Sequence, residues 1–231
     1  MKLKKHIPIW GWSDDSIDVR NSILDFIGDA DSDYFNDCDA VAKDWNGIIT
    51  LETEILQNLC EMLIPKKKNL RIVDVGCSDG YVINSLKGEC VGVDCSRSRL
   101  TDLNDNVIKV RANVEHLPFQ NEYFNVVICT DVFEHVENES KLSHELHRIL
   151  KPNGMLLFAC PWEQDLSVYE LEEFKKKYKL YKCRHIRSVD NKMIKKNFKN
   201  FKKINETMII SVRKFMEFTP YSIKFIQFLK E

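Results

Sequence analysis

The sequence lacks long apolar runs, cysteine pairs and any large excess of charge. No stretch reaches the roughly 20 apolar residues of a membrane helix, and the start, MKLKKHIPIWGWSDD, has no apolar core of signal-peptide length. We therefore expect a cytoplasmic protein. The eight cysteines are scattered without a CxxC spacing, which predicts reduced, mostly buried thiols. The net charge of −1 gives no whole-chain argument for nucleic-acid binding.

Glycine is also scarce, with eight in 231 residues, and two of them flank one turn. The stretch 71–75 reads as a short buried strand, and 76–80, GCSDG, forms a turn. Apolar residues then continue with helical spacing over 81–86. A strand that ends at glycine and continues as a helix offers backbone N–H groups, and glycine lets a ligand approach the chain closely. This arrangement predicts a nucleotide site.

The glycine spacing decides which nucleotide is favoured. A dinucleotide fingerprint, G-x-G-x-x-G, would need glycine where Ser78 and Tyr81 stand. The observed pattern is D-x-G-x-x-x-G, formed by Asp74, Gly76 and Gly80. A second strand, VGVD, ends at Asp94, whose carboxylate can accept two hydrogen bonds from a ribose diol.

These two motifs resemble the S-adenosylmethionine site of class I methyltransferases, in particular the methyltransferase type 11-like family. The resemblance implies an α/β fold, a Rossmann-like three-layer sandwich with a mostly parallel seven-stranded sheet, and S-adenosyl-L-methionine as the cofactor. The family usually has glycine where this chain has Ser78. Serine can serve there if its backbone keeps a negative φ, so we expect a negative φ at this residue.

The resemblance covers 71–159, with five strands in order, and it supplies the cofactor-binding residues. Asn113 stands where the family often has an acid for the adenine amino group, and Val114 follows at the position for the adenine ring. The complete set of cofactor-binding residues that it implies is Asp74, Gly76, Cys77, Ser78, Gly80, Asp94, Cys95, Asn113, Val114 and Thr130.

Two histidines are the candidate catalytic residues on the acceptor side. The family has a Glu-His pair after its fourth strand, matched here by Glu134 and His135. It also has a histidine and an arginine after the fifth strand, matched by His185 and Arg187. His135 or His185 could take the proton of an acceptor hydroxyl, and the sequence does not decide between them. We predict no metal site.

The chain is predicted to be one methyltransferase domain over 1–231. Residues 1–69 would be N-terminal cap helices, including helices at 17–27 and 51–63 and a weaker one over 34–45 that holds the aromatic residues Tyr34, Phe35 and Trp45. Residues 70–160 would be the cofactor-binding core, and 161–231 would hold the acceptor side, a lysine-rich helix at 171–180 and the C-terminal strands. The aromatic, basic tail from Phe215 could be a core element, a homodimer face or a helix that contacts a membrane surface peripherally. A core element is favoured.

The predicted function is methyl transfer from S-adenosylmethionine to a small-molecule, glycan or lipid-linked acceptor. Two alternatives stay open. The lysines over 175–203 could bind RNA phosphates in an RNA methyltransferase, although no RNA-binding module and no Asn/Asp-Pro-Pro-Tyr/Phe motif is present. The chain could also be a non-catalytic regulatory protein that binds S-adenosylmethionine.

Overall fold

The structure, a computed structural model, describes residues 18–20, 23–27, 51–172, 184–215 and 219–231. The strands are β1 (Asp18–Arg20), β2 (Ile23–Asp25), β3 (Arg71–Val75), β4 (Glu89–Asp94), β5 (Val107–Arg111), β6 (Phe124–Thr130), β7 (Leu150–Pro161), β8 (Phe201–Phe215) and β9 (Thr219–Lys230). The α-helices are α1 (Leu51–Leu63), α2 (Arg97–Thr101), α3 (Glu139–Ile149) and α4 (Asn191–Asn197). Two 3₁₀ helices span Ile83–Ser85 and Leu166–Glu170.

The nine described strands form one sheet in the order β1-β2-β5-β4-β3-β6-β7-β9-β8. Strands β2 to β7 pair in parallel, whereas β1 is antiparallel to β2, and β9 is antiparallel to both of its neighbours. The sheet is therefore mostly parallel. It contains seven strands as predicted, from β5 across to β8, and the β1–β2 hairpin extends it to nine. The carboxyl ends of β3 to β7 meet at one edge, where α/β folds place their ligands.

The helix predicted over 17–27 is wrong, because this segment forms β1 and β2. Three consecutive residues, Ile23, Leu24 and Asp25, are buried, a pattern that suits a strand covered on both faces rather than an amphipathic helix. Asp25 forms ion pairs with Arg97 and Arg111. The two arginines thus balance the negative charge of the buried Asp25 carboxylate, and these ion pairs stabilise the β1–β2 hairpin at the edge of the sheet.

Of the two remaining N-terminal helix predictions, the one at 51–63 is confirmed and the one over 34–45 is untested. Helix α1 ends at Leu63, before Pro65, and buries Leu56 and Cys60 on one face. The predicted aromatic residues at 34, 35 and 45 lie outside the described residues. A cap of N-terminal helices over the cofactor therefore stays a prediction.

Side chains on both faces of the sheet are buried, which confirms three layers. Leu56, Ile72 and Phe225 belong to the apolar cluster on the α1 side. Val73, Leu142 and Ile194 belong to the opposite cluster, on the side of α3 and α4. Neighbouring residues of one strand, such as Ile72 and Val73, thus face different helical layers, as strand geometry requires.

The C-terminal segments form two long strands. Strand β9 lies between β7 and β8, and Ile223, Phe225, Ile226 and Phe228 are buried. The prediction that the C-terminal tail is a core element is confirmed over β9. The alternative prediction, a helix on the protein surface, is wrong for this strand. The helix predicted at 171–180 lies outside the described residues from 173 onward. Among the described helices, none combines the length and apolar character needed to cross a bilayer.

The six cysteines with a described environment are free thiols, as predicted. Five of them are buried: Cys60, Cys77, Cys90, Cys129 and Cys160. Burial raises the pKa of the Cys60 thiol, with a further contribution from the nearby Asp74 carboxylate. These residues therefore pack as small apolar side chains.

Candidate active site

The turn after β3 is held against the end of β4 by its backbone N–H groups. Gly76 and Cys77 both donate to the carbonyl of Val93, at 2.8 and 2.9 Å, and Ser78 donates to Asp94 Oδ2 at 2.9 Å. The helix predicted over 81–86 is only the 3₁₀ helix Ile83–Ser85, so the expected α-helical N-terminus is wrong. The described turn can therefore meet a ligand through its backbone and through the carboxylates around it.

Ser78 adopts a left-handed backbone, with a φ of +51°, so the expected negative φ is wrong. The left-handed region costs a residue with a Cβ roughly 1–2 kcal/mol. The hydrogen bond from Ser78 N–H to the Asp94 carboxylate accompanies this conformation. Serine therefore stands at a position where glycine would be unstrained.

Gly76 is required by its contact with the protein's own chain. Its φ is +79°, and an ideal Cβ at this position would lie 2.1 Å from Val132 Cγ2. The sequence explanation, that glycine lets a ligand approach, does not account for this contact. Val132 follows β6, so the contact joins the turn to the loop that carries Glu134 and His135.

Asp94 already accepts two backbone hydrogen bonds. Ser96 N–H donates to Oδ1 at 2.8 Å, and Ser78 N–H donates to Oδ2. Because an ionised carboxylate has about four acceptor sites, it can still accept from a ribose diol. The neighbouring Cys95 receives a bond on its carbonyl from Arg111 Nε at 2.8 Å, which fixes the chain after β4.

Three other predicted cofactor residues have more limited roles in this structure. The Cys77 side chain is buried near Gly92, so only its backbone can face a ligand. The amide oxygen of Asn113 accepts from Glu115 N–H at 2.8 Å, and it keeps a second lone pair for an adenine amino group. Val114 is half-buried and packs against the apolar core.

Asp74 is a buried carboxylate whose Oδ1 has no hydrogen-bond partner among the described residues. Burial, and then the charge of Asp94, raise its pKa to about 8. A site with such a carboxylate fits a ligand that carries positive charge, since a cation would offset its desolvation. S-adenosylmethionine, with a sulfonium and an ammonium group, meets this requirement.

The end of β6 presents two polar residues beside the turn. Thr130 forms a hydrogen bond of 2.9 Å with the Tyr81 hydroxyl, so it links the two segments. Asp131 has a φ of +54°, and burial raises its pKa to about 7. The sequence predicted Thr130, but Asp131 and Tyr81 were missed.

Glu134, His135 and His185 come together at this edge of the sheet. Both histidine Nε2 atoms lie 3.9 Å from Glu134 Oε1, and the two rings are 4.7 Å apart in an edge-to-face arrangement. Burial, and then the charge of Asp131, raise the pKa of Glu134, whereas burial and His135 lower the pKa of His185. The structure thus unites the two predicted catalytic histidines in one cluster.

The surrounding chain fixes the His185 segment against the loop after β6. Ile186 N–H donates to the Glu134 carbonyl at 2.9 Å, and Arg187 donates to the Phe133 carbonyl at 2.7 Å. Gln164 Oε1 contacts His185 Nδ1. No sequence pattern pointed to Gln164, because it lies in an irregular segment after β7.

Comparison with known proteins finds a family match over part of the chain. Residues 73–158, less than half of the chain, match the family model described as "Methyltransferase domain". This stretch is similar to the SAM-dependent methyltransferases. The matched range includes the turn, Asp94 and the loop with Glu134 and His135, but His185 lies outside it.

Two curated relatives match part of the chain. The chain is 30% identical to an uncharacterised protein of Methanocaldococcus jannaschii over 128 residues, which are 54% of this chain and 56% of that protein. It is 32% identical to the ubiquinone/menaquinone biosynthesis C-methyltransferase of Vibrio parahaemolyticus over 104 residues, covering 43% and 40%. The chain thus spans about half the length, or less, of these curated relatives.

Solved structures share the fold of this methyltransferase domain. Magnesium protoporphyrin IX methyltransferase from Synechocystis, solved with bound SAH, superposes with a TM-score of 0.64 at 15% identity. The alignment covers 86% of this chain and 97% of that one. At this identity the likeness shows a common fold and does not transfer an acceptor.

Proposed function

We propose that the protein transfers a methyl group from S-adenosylmethionine to a small-molecule, glycan or lipid-linked acceptor. The contact between Gly76 and Val132 carries this proposal, because it joins the turn after β3 to the loop that holds Glu134 and His135. Methyl transfer needs donor and acceptor in line, so a site of this kind must join both functions within a few ångströms.

Each part of the proposed site has a distinct role. S-adenosylmethionine would supply a methyl group already activated on a sulfonium. Asp94 would hold the ribose diol, and Asn113 with Val114 would hold the adenine. Asp74 lies below the turn, where its carboxylate would favour a cationic ligand. His135 and His185 would act on the acceptor, either directly as a base or through a bound ion.

The relatives support this class of acceptor. The Vibrio relative is named for ubiquinone and menaquinone biosynthesis, and the Synechocystis structure is named for magnesium protoporphyrin IX. Both names describe small-molecule methylation. A homodimer, peripheral membrane contact through the C-terminal tail and a cytoplasmic location stay predictions beside this proposal.

Ligand binding and an acceptor screen test the proposal. Calorimetry should show binding of S-adenosylmethionine and S-adenosylhomocysteine but not of NAD, and tighter NAD binding would contradict it. Labelled S-adenosylmethionine is then offered with pooled hydroxylated small molecules, glycans and lipids, and with RNA as a separate arm. We expect label in at least one of the first three pools. Label in RNA, or cofactor binding without transfer to any pool, would favour one of the two alternative functions.

A further inference from the structure

Glu134, His135 and His185 have the composition and spacing of a metal-binding group. One carboxylate oxygen and two imidazole nitrogens from these residues lie within 4.8 Å of one another. Imidazole and carboxylate together suit divalent transition metals such as Zn²⁺, Fe²⁺ and Mn²⁺. The sequence predicts no such site, because His185 is 50 residues from the other two and only the fold brings it near.

The Glu134 side chain gives an independent indication of a cation site. It is fully buried, and neither carboxylate oxygen has a hydrogen-bond partner among the described residues. Arg187 lies close by, but its guanidinium donates to the carbonyls of Phe133, Val136 and Glu137. Leaving a buried carboxylate unpaired costs several kcal/mol, and a coordinated ion would offset that cost.

The His185 side chain is oriented as a metal ligand would be. Gln164 Oε1 contacts His185 Nδ1, an arrangement that keeps the proton on Nδ1 and leaves the Nε2 lone pair facing Glu134. Such an outer hydrogen bond is typical of metal-binding histidines. The His135 side chain is 27% exposed, compared with 11% for His185, so the cluster opens to solvent on the His135 side.

We propose that Glu134, His135 and His185 bind one divalent transition-metal ion, which holds an oxygen of the acceptor. Metal–ligand bonds of about 2.1 Å place tetrahedral ligand atoms roughly 3.4 Å apart. The two His–Glu distances are 3.9 Å and all three ligand atoms lie within 4.8 Å of one another, so metal binding requires an inward movement of the side chains. Three protein ligands leave a coordination position open to the acceptor, as in catalytic metal sites. The role of the ion, although not its binding, rests on the proposed methyl transfer.

This assignment narrows the acceptor class to hydroxyl compounds. A hydroxyl coordinated at the open position has a lowered pKa and loses its proton to solvent water. Its oxygen then forms a bond to the methyl carbon, while the carbon–sulfur bond breaks and its electron pair stays on sulfur. The histidines in this arrangement are ligands, so neither needs to act as the base.

Metal binding is measured directly on the full chain after chelation and desalting. Titration with Co²⁺ should give visible absorption bands with a stoichiometry of one, and equilibrium dialysis with Zn²⁺ should give the same count. Glu134→Gln and His185→Ala should each weaken binding by at least ~10²-fold, since even an outer partner contributes roughly 10–100-fold. His144→Ala, which removes an exposed histidine, is the matched control and should bind normally.

Two further measurements separate the ion from the methyl transfer and from folding. Melting temperatures show whether each variant is folded, and the near-isosteric Glu134→Gln keeps the comparison valid if His185→Ala unfolds. Calorimetry should find S-adenosylmethionine affinity within about threefold of wild type in Glu134→Gln. Absent Co²⁺ binding in the wild type, or unchanged Co²⁺ binding in folded Glu134→Gln, would overturn the metal site. Metal binding without methylation of any acceptor would contradict the proposed function and leave the site standing, whereas methylation unaffected by chelation would overturn the role of the ion.

Discussion

Val132 Cγ2 occupies the space into which a Cβ atom at Gly76 would project, at a distance of 2.1 Å from its ideal position. Gly76 begins the turn after β3, and Val132 belongs to the loop after β6. Because protein interiors are close-packed, a larger side chain at Gly76 must displace Val132 or the backbone around it. The contact therefore couples the turn after β3 to the loop after β6.

Gly76→Ala should lower the free energy of unfolding by about 2–5 kcal/mol. The φ of +79° costs an alanine roughly 1–2 kcal/mol, and the overlap with Val132 adds about 1–3 kcal/mol. Urea denaturation measures the change. In a cycle with Val132→Ala, the double variant should be more stable than the sum of the single effects predicts, because the steric part disappears and the backbone part remains. Strict additivity would mean that the contact is not formed.

Local patterns in the sequence were sufficient for most of the central fold. The apolar runs that became β3 to β7 are bounded by turn residues, and the motif order from the turn to the loop after β6 indicated the methyltransferases that residues 73–158 match. Parallel strands buried on both faces give this strong signal. The edge hairpin at 18–25 was missed because a short apolar run with mixed spacing also fits a helix.

The candidate site could be predicted residue by residue but not as an arrangement. Asp94, His135 and His185 were identified, whereas Gln164 and the left-handed backbone of Ser78 were not. Pairing across 50 residues depends on how the segment after β7 returns to the loop after β6. No local sequence pattern predicts how this segment folds back, so only the structure shows that Glu134, His135 and His185 lie together.

Ser78→Gly should stabilise the protein by up to about 1 kcal/mol. Glycine relieves the left-handed strain at a φ of +51°, and its greater freedom in the unfolded chain offsets part of the gain. For a chain of this size, this corresponds to a rise in melting temperature of about 2–4 °C. Ser78→Ala is the control, since it removes the hydroxyl and keeps the strain. An equal rise in both variants would show that the backbone is not responsible.

Asp94→Ala should weaken S-adenosylmethionine binding by ~10–100-fold. A hydrogen bond to a charged acceptor contributes roughly 1.5–3 kcal/mol, and about 1.4 kcal/mol is tenfold in affinity. The turn should also loosen, because Ser78 and Ser96 lose their acceptor. Calorimetry measures the affinity, with Asp105→Ala as a control that removes an exposed carboxylate. An unchanged dissociation constant would show that Asp94 does not hold the ribose.

The free energy of unfolding of the wild type should fall as the pH rises, and Asp74→Asn should reduce this fall. Burial raises the pKa of Asp74 from 3.8 to about 8, so between these values the folded protein binds a proton that the unfolded chain releases. The free energy of unfolding of the wild type should therefore fall with increasing pH across this range, by up to about 1.4 kcal/mol per pH unit. Asparagine does not titrate, so the variant gains stability relative to wild type from pH 5 to pH 8.

Urea denaturation of the ligand-free protein at several pH values measures the effect of Asp74. The difference in the free energy of unfolding between Asp74→Asn and wild type should grow steadily up to about pH 8 and level off above it, where Asp74 is ionised in both states. Asp105→Asn controls for the loss of an exposed carboxylate. Parallel curves for Asp74→Asn and wild type would mean that Asp74 is ionised in the folded protein, with a cationic partner that the described residues do not supply.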